Sequence, residues 1–262
     1  MSDLHKNSFW LHLEVLRWAL LRCLIVVFGI AIVAFCFKDF VFDKIILAPC
    51  QNSFATYSFL CYLGKMFSMP SLCPEIQEIT IININLAAQL FTHLNISFCI
   101  GLIIGFPYLT IELWLFASPA LYSKERKPAI KGALSFVLLF FTGILTAYYV
   151  IFPLTLHFLG NYQVSQSIEN QISLNSYITT FTTLLFMLGF VFEMPIVAYF
   201  FAKIGLLTSN FLAKYRKISI VIILIIAAFI TPSTDAFTML LVAAPLQLLY
   251  EISRGVVKGV EN

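Results

Sequence analysis

The sequence predicts an all-α polytopic membrane protein with six transmembrane helices. The first observation is composition: 60% of the 262 residues are hydrophobic and 11% are charged. Soluble domains carry about 25% charged residues, so the chain has too few polar side chains to cover a water-exposed fold. The second is that apolar stretches recur over the whole length, with no soluble block between them. A single transmembrane domain over residues 1–262 is therefore expected.

Six apolar stretches are candidate spans, because about 20 helical residues cross the roughly 30 Å core of a bilayer. In chain order they cover approximately residues 18–37, 85–116, 132–159, 177–201, 218–230 and 236–250. The last two are short, and at 1.5 Å per residue each would measure only about 20 Å. Snorkelling of flanking Lys and Arg side chains, or local thinning of the bilayer, would accommodate them.

The distribution of Lys and Arg predicts the orientation, because cytoplasmic segments are enriched in both. The two termini and the loops at 117–131 and 202–217 carry thirteen of these residues, whereas the alternate segments carry three. Both termini are therefore predicted to be cytoplasmic. An even number of spans requires the same side for both.

Two segments outside these spans are expected to be ordered. An N-terminal stretch, about residues 8–17, is apolar with a few polar side chains, as an interfacial helix would be. The long connection at about 38–84 holds three prolines and is predicted to form an external cap with short helices. It also contains Cys50, Cys61 and Cys73, for which either one disulfide or free thiols is expected.

The motifs of common enzymes and metal sites are missing from the sequence. No G-x-x-x-x-G-K-[ST], H-E-x-x-H or G-x-S-x-G pattern occurs. The six cysteines form no C-x-x-C pair, and no His lies near them at metal-binding spacing. We therefore expect no enzyme, no cofactor, no metal and no nucleic acid, and any transport would draw on an ion gradient or a partner.

The stretch FMLGFVFEMPIVAYFF, residues 186–201, holds Glu193 as its only charge, with Pro195 two positions on. A charge near the centre of a bilayer costs about 2.5–3.5 kcal/mol, and no Lys or Arg lies at comparable depth. Among the acids, only Glu193 is clearly deep in a predicted span. We interpret it as lining an intramembrane groove; a protonated Glu that hydrogen-bonds a neighbouring helix is the alternative.

Six stretches, in order and at the family's spacing, resemble TatC, the receptor subunit of the twin-arginine protein translocase. They are HLEVLR (12–17), ELWLFASPALYSKERK (112–127), GILTAYYVIFPL (143–154), LGFVFEMPI (188–196), ITPSTDAFTMLLVAAPL (230–246) and LLYEIS (248–253). Together they extend across nearly the whole chain.

The resemblance implies a cupped arrangement of six helices in the inner membrane of a bacterium, or the equivalent membrane of an organelle. It implies that the cytoplasmic face binds the twin-arginine signal peptides of folded precursors. TatA/TatB-type single-span subunits would be the partners, in homo- and hetero-oligomers, and the proton-motive force would drive transport. A proton-coupled small-solute transporter is the alternative function, and an assembly scaffold is a third.

The resemblance also implies roles for individual residues. Glu125 is the acidic loop residue that contacts the arginine pair, and Glu193 faces the concavity. Arg17 matches the family motif directly. The surface around Glu125 is shaped by Phe116, Pro119, Leu121 and Arg126.

One position departs from the family pattern. The family reads H-L-x-E-L-R, whereas this chain reads H-L-E-V-L-R, so the acid is Glu14 and Val15 follows it. A shift of one residue rotates a helical side chain by about 100°. We expect Glu14 to perform the role that the family gives to the next position.

Overall fold

The computed structural model describes residues 2–51, 53–66, 80–117, 126–163, 165, 170–231 and 235–261. These residues form ten α-helices: α1 (Ser2–Cys36), α2 (Ala55–Met66), α3 (Ala88–Ala117), α4 (Arg126–Thr146), α5 (Phe152–Asn161), α6 (Leu174–Val191), α7 (Met194–Lys203), α8 (Ser209–Lys214), α9 (Arg216–Ile230) and α10 (Ala236–Glu261). Two π-helical segments cover Phe40–Ile46 and Ala147–Ile151, and a 3₁₀ turn covers Ala48–Cys50. The strands β1 (Ile81–Ile82) and β2 (Ile172–Ser173) form a two-residue parallel pair. Apart from this pair, the regular structure is helical, as predicted.

Among the described residues, five helical stretches are long and apolar enough to cross a bilayer. They are Leu13–Cys36, Ala88–Phe116, Gly132–Asn161, Leu174–Lys203 and Ala236–Glu261, and each overlaps a predicted span. The remaining predicted span corresponds to α9, whose 15 residues make about 22 Å of helix. The presence of six helices that cross the membrane stays a prediction, as does the orientation of the termini.

The last helix is longer than the sequence predicts. We expect a short span that ends near Tyr250, whereas α10 has 26 residues and continues to Glu261. The helix persists because Glu251 pairs with Arg254 at 3.7 Å, three residues on, and Val257 remains fully buried. The change from apolar to charged residues therefore marks the expected edge of the membrane and not the end of the helix.

Helix α1 is continuous over 35 residues. The segment expected to lie in the membrane interface, about residues 8–17, and the first span are therefore one helix. Positions on the N-terminal part of that helix and positions in the span therefore follow one helical periodicity.

The described structure divides into two compact units, each with its own packing. The first comprises Met1–Lys38 and Leu90–Leu138, and the second comprises Asp39–Gln89 and Leu139–Asn262. The single six-helix domain predicted from the sequence stays a prediction.

In the first unit, α1 packs against α3 at a distance that only glycine permits. A Cβ atom added at Gly101 would lie 2.6 Å from the carbonyl oxygen of Val27 and 3.1 Å from Cβ of Ala31. Small residues allow such close approach between membrane helices, where van der Waals contact replaces the hydrophobic effect as the main attraction.

The second unit contains a similar contact between α4 and α6. A Cβ atom at Gly143 would lie 2.7 Å from the carbonyl oxygen of Leu188, and one at Gly189 would lie 2.9 Å from the ring of Phe140. The core of this unit is completed by fully buried side chains on α6 and α10, namely Leu184, Leu188, Val242 and Leu246.

Tyrosine hydroxyls fasten the connection between the first two long helices to the rest of the second unit. Tyr148 donates to the carbonyl oxygen of Ile45 at 2.8 Å, and Tyr177 donates to that of Ile46 at 2.5 Å. Both acceptors lie in the Phe40–Ile46 segment. The predicted short helices in this connection are thus confirmed, and they are hydrogen-bonded to long helices.

Tyr57 on α2 makes a second attachment. Its buried hydroxyl lies 3.1 Å from the carbonyl oxygens of both Pro49 and Pro153. Burial raises the pKa of Tyr57 well above its ordinary value, so the hydroxyl keeps the proton that it donates.

One of the predicted disulfide candidates is bonded. Cys61 is in a disulfide, and Cys50 is a free, half-buried thiol whose pKa is raised by burial. Cys73, the third candidate, lies outside the described residues. A disulfide in this connection is the outcome expected for an oxidising compartment.

The contact at Gly101 gives a test of the packing between α1 and α3. Gly101→Ala should lower the melting temperature in detergent by several degrees, because overpacking typically costs about 1–3 kcal/mol. Gly29→Ala is the matched control, since nothing lies within 4 Å of a Cβ added there. Equal melting temperatures for the two variants would contradict the close contact.

Candidate functional site

The N-terminal part of the first span carries an open groove of about 360 Å³. Glu14, Trp18 and Arg22 line it and follow one another at intervals of four residues, which places them on one face of α1. Glu14 is exposed, so its carboxylate is available to a ligand. An acid, an aromatic ring and a base thus share one surface.

Val15 lines the same groove and is 46% exposed. This position is where the sequence analysis places the acid of the family pattern. The two neighbouring positions therefore open onto one groove despite the rotation of about 100° between them. The departure HLEVLR leaves an acid in the groove.

Arg17 lies next to this groove and is exposed. Its guanidinium carbon is 5.8 Å from the centre of the Trp18 ring, within the range of a cation–π interaction. The indole therefore already stabilises one guanidinium group in the free protein.

Helix α3 contributes a buried carboxyl group that the sequence analysis did not assign. Glu112 is 6% exposed, and its Oε1 accepts a 2.7 Å hydrogen bond from the hydroxyl of Tyr108, one turn earlier. Its Oε2 lies 3.4 Å from Nη2 of Arg22. Glu112 is thus a second buried acid within a long apolar helix, five residues before the end of α3. The expectation that only Glu193 lies deep in a span stays a prediction.

The other predicted contact residues are only partly described. Phe116 is half-buried on α3, one turn beyond Glu112. Arg126 begins α4, and its side chain lies outside the description, as do Pro119, Leu121 and Glu125 altogether. The structure therefore does not test whether these residues form one surface with Glu14.

Glu193 lies where the long helix of the fourth predicted span is interrupted. Helix α6 ends at Val191 and α7 begins at Met194, because Pro195 has no N–H to donate to the carbonyl four residues back. The backbone N–H of Glu193 donates instead to Phe190, three residues back, at 3.1 Å.

The side chain of Glu193 is 4% exposed and faces the backbone of Phe140. Neither carboxyl oxygen makes a hydrogen bond of normal geometry with a described residue. A buried charge without a partner is costly, so this carboxyl needs either a proton or a partner that enters the site. Its place in a groove stays a prediction.

The two buried glutamates thus differ in their partners. Glu112 is bound by the hydroxyl of Tyr108 and by the guanidinium of Arg22. Sequence spacing alone could have suggested the contact with Tyr108, which lies four residues before Glu112. The contact with Arg22 could not be predicted from spacing, because Arg22 belongs to a different helix.

Comparison with known proteins gives consistent matches over most of the chain. The family model of TatC, Sec-independent protein translocase protein, matches residues 11–245. The Sec-independent protein translocase protein TatC of Blattabacterium sp. subsp. Periplaneta americana (strain BPLAN) is 34% identical over 254 residues, covering 96% of this chain and 95% of that protein.

Two crystal structures of the twin arginine translocase receptor TatC are similar in fold. One has a TM-score of 0.70 and 33% identity, and the match covers 96% of this chain and 100% of that one. The other, in DDM, has a TM-score of 0.73 and 34% identity, covering 94% and 99%. These proteins share the whole length of the fold with this chain.

Proposed function

This chain belongs to the TatC family of Sec-independent protein translocase proteins, and on that premise we propose that it binds twin-arginine signal peptides of folded precursors. The observation that carries the proposal is the exposed carboxylate of Glu14 in an open groove on α1. A carboxylate at a surface groove is the natural acceptor for a guanidinium group, which donates two parallel hydrogen bonds.

Membership in the family establishes the broader class. The chain is a translocase subunit and a multi-pass integral protein of the bacterial inner membrane, with five long apolar helices among its described residues. The family is a protein-transport family and not an enzyme family. This membership gives no support to the alternative of a proton-coupled small-solute transporter.

The finer organisation belongs to the proposal. Helix α9 is the sixth span of a single cupped domain, and both termini lie in the cytoplasm, as the thirteen Lys and Arg residues on that side support. TatA/TatB-type single-span subunits join the chain in homo- and hetero-oligomers. The proton-motive force drives the transport of the bound precursor.

Glu125 contacts the arginine pair together with Glu14. Arg17 contributes to this surface from α1. Four further residues shape it: Phe116, Pro119, Leu121 and Arg126. The neighbouring Lys and Arg residues around Glu125 favour its ionised form, in which both carboxylate oxygens accept hydrogen bonds.

Glu193 has a separate part in the proposal. It supplies polarity to an intramembrane groove that holds or passes a signal peptide or a partner helix. Its buried carboxyl group makes no hydrogen bond of normal geometry with the described residues and so supports this role, because such a group lowers its free energy when a polar partner arrives.

The role of Glu125 can be tested directly by peptide binding. Glu125→Gln should weaken the binding of a twin-arginine peptide to the purified protein by about tenfold, since hydrogen bonds to charged groups contribute about 1.5–3 kcal/mol. The same peptide with both arginines replaced by lysine is the control, because a Lys ammonium cannot make the forked contact. Unchanged binding by Glu125→Gln would rule out the proposed role.

Substitutions of Glu193 should affect the stability of the protein and the export of a precursor differently. Glu193→Leu removes a buried carboxyl group that makes no hydrogen bond of normal geometry within the described part of the chain, so the melting temperature in detergent should be kept or raised. Export of a twin-arginine precursor should fall for this variant and survive in Glu193→Gln, which retains polarity. If the Leu variant exports as well as the Gln variant, polarity at this position is not required.

The shared groove of Glu14 and Val15 predicts that the two positions are interchangeable. Glu14→Ala should lower export, and the exchange Glu14→Val with Val15→Glu should restore it, because both positions line one surface. Export rates of the two variants against the unmodified chain measure this. An exchange variant as inactive as Glu14→Ala would show that the groove tolerates only one register.

A further inference from the structure

The ion pair between Arg22 and Glu112 joins two residues of very different exposure. The side chain of Glu112 is 8% exposed, whereas that of Arg22 is 54% exposed. The acid is therefore part of the packing within the first unit, and the base lies at its surface. Tyr108 holds one oxygen of Glu112 at 2.7 Å and so fixes the direction of the other.

We propose that Glu112 is a guanidinium-binding site of the signal-peptide surface, that Arg22 occupies it in the free protein, and that an arginine of the peptide displaces Arg22. This inference rests on the proposed function, because it requires an arginine-bearing peptide as the ligand. It adds Glu112, which pairs with the groove residue Arg22, to the acids Glu14 and Glu125 already proposed for this surface.

Arg22 is held weakly enough to be displaced. Among the described residues, its Nη2 approaches Glu112 at 3.4 Å, and its Nε donates to the carbonyl oxygen of Trp18, also at 3.4 Å. Strong bonds between guanidinium and carboxylate are typically about 2.7–2.9 Å long and often paired. The contact between Arg22 and Glu112 is longer than this range, so a peptide arginine with better geometry can replace Arg22.

Exchange of one guanidinium for another avoids the main energetic obstacle. Removing the partner of a buried charge is strongly unfavourable, because the charge is left uncompensated. When a peptide arginine takes the place of Arg22, Glu112 keeps a positive partner throughout. Arg22 then leaves the pair at the surface of the unit, where its side chain is already 54% exposed.

The groove has a length that suits two arginines. Glu14 and Arg22 are two helical turns apart along α1, about 12 Å, and both line the groove. The surface therefore offers guanidinium groups two separate places, one at Glu14 and one at Glu112 beside Arg22.

A purely positioning role makes a different prediction. If the ion pair only fastens α1 to α3, removing either partner disturbs the groove in the same way. Both single variants would then bind the peptide more weakly. In the exchange mechanism the two variants change the affinity for the peptide in opposite directions, because Arg22 competes with the peptide arginine and Glu112 binds it.

The experiment compares the affinity of the purified protein in detergent for a twin-arginine peptide and for its lysine-substituted form. Arg22→Gln should bind the arginine peptide about three- to fivefold more tightly, and Glu112→Gln about three- to fivefold more weakly. The control is Glu251→Gln in the other unit. Glu251 also pairs with two arginines, Arg216 at 2.6 Å and Arg254 at 3.7 Å, and its variant should bind as the unmodified chain does.

Weaker or unchanged binding by Arg22→Gln overturns the exchange mechanism, and so does unchanged binding by a folded Glu112→Gln. If Glu112→Gln does not fold, the sign of the effect in Arg22→Gln decides alone. An unmodified chain that binds both peptides equally contradicts the proposed function itself. If the unmodified chain prefers the arginine peptide but both variants bind it more weakly, the proposed function stands and only the exchange mechanism is contradicted.

Discussion

The constraint on which the rest of the structure depends is that a bilayer offers no hydrogen bonds to the backbone. Polar groups freed by a break in a membrane helix must find partners within the protein. The connection after α1, predicted to lie outside the spans, is also paired within the protein, because Tyr148 and Tyr177 donate their hydroxyls to the carbonyls of Ile45 and Ile46. Tyrosine suits this task, since its ring packs well in an apolar core and its hydroxyl can still donate a hydrogen bond.

The same constraint makes buried carboxyl groups informative. Glu112 satisfies it with a tyrosine hydroxyl and a guanidinium from another helix. Glu193 does not satisfy it within the described residues, although it lies at a break where the backbone hydrogen bonds are already rearranged. The first group is therefore arranged to hold a cation, and the second is arranged to respond to whatever polar group reaches it. The proposed function, in which a peptide is first bound and then passed into the membrane, would use both kinds of site.

The groove on α1 shows how a fold tolerates a change in its own motif. Glu14 stands one position before the acid of the family pattern, yet it and Val15 open onto the same surface. We expect a broad groove to accept an acid at either of the two adjacent positions, because a long acidic side chain compensates for an axial displacement of only about 1.5 Å. A narrow pocket with fixed hydrogen-bond geometry would not accept the change.

The sequence by itself determined the membrane class, the positions of the long apolar helices and the family, since hydropathy and motif order are local properties that survive in a linear chain. It did not determine the length of α10, because helical hydrogen bonds continue past the point where apolar residues end. Only the tertiary structure decided that Arg22 meets Glu112 and that Tyr57 reaches Pro153. These partners lie far apart along the chain, and which helix faces which is set by close packing at positions such as Gly101, where a single methyl group would push the helices apart.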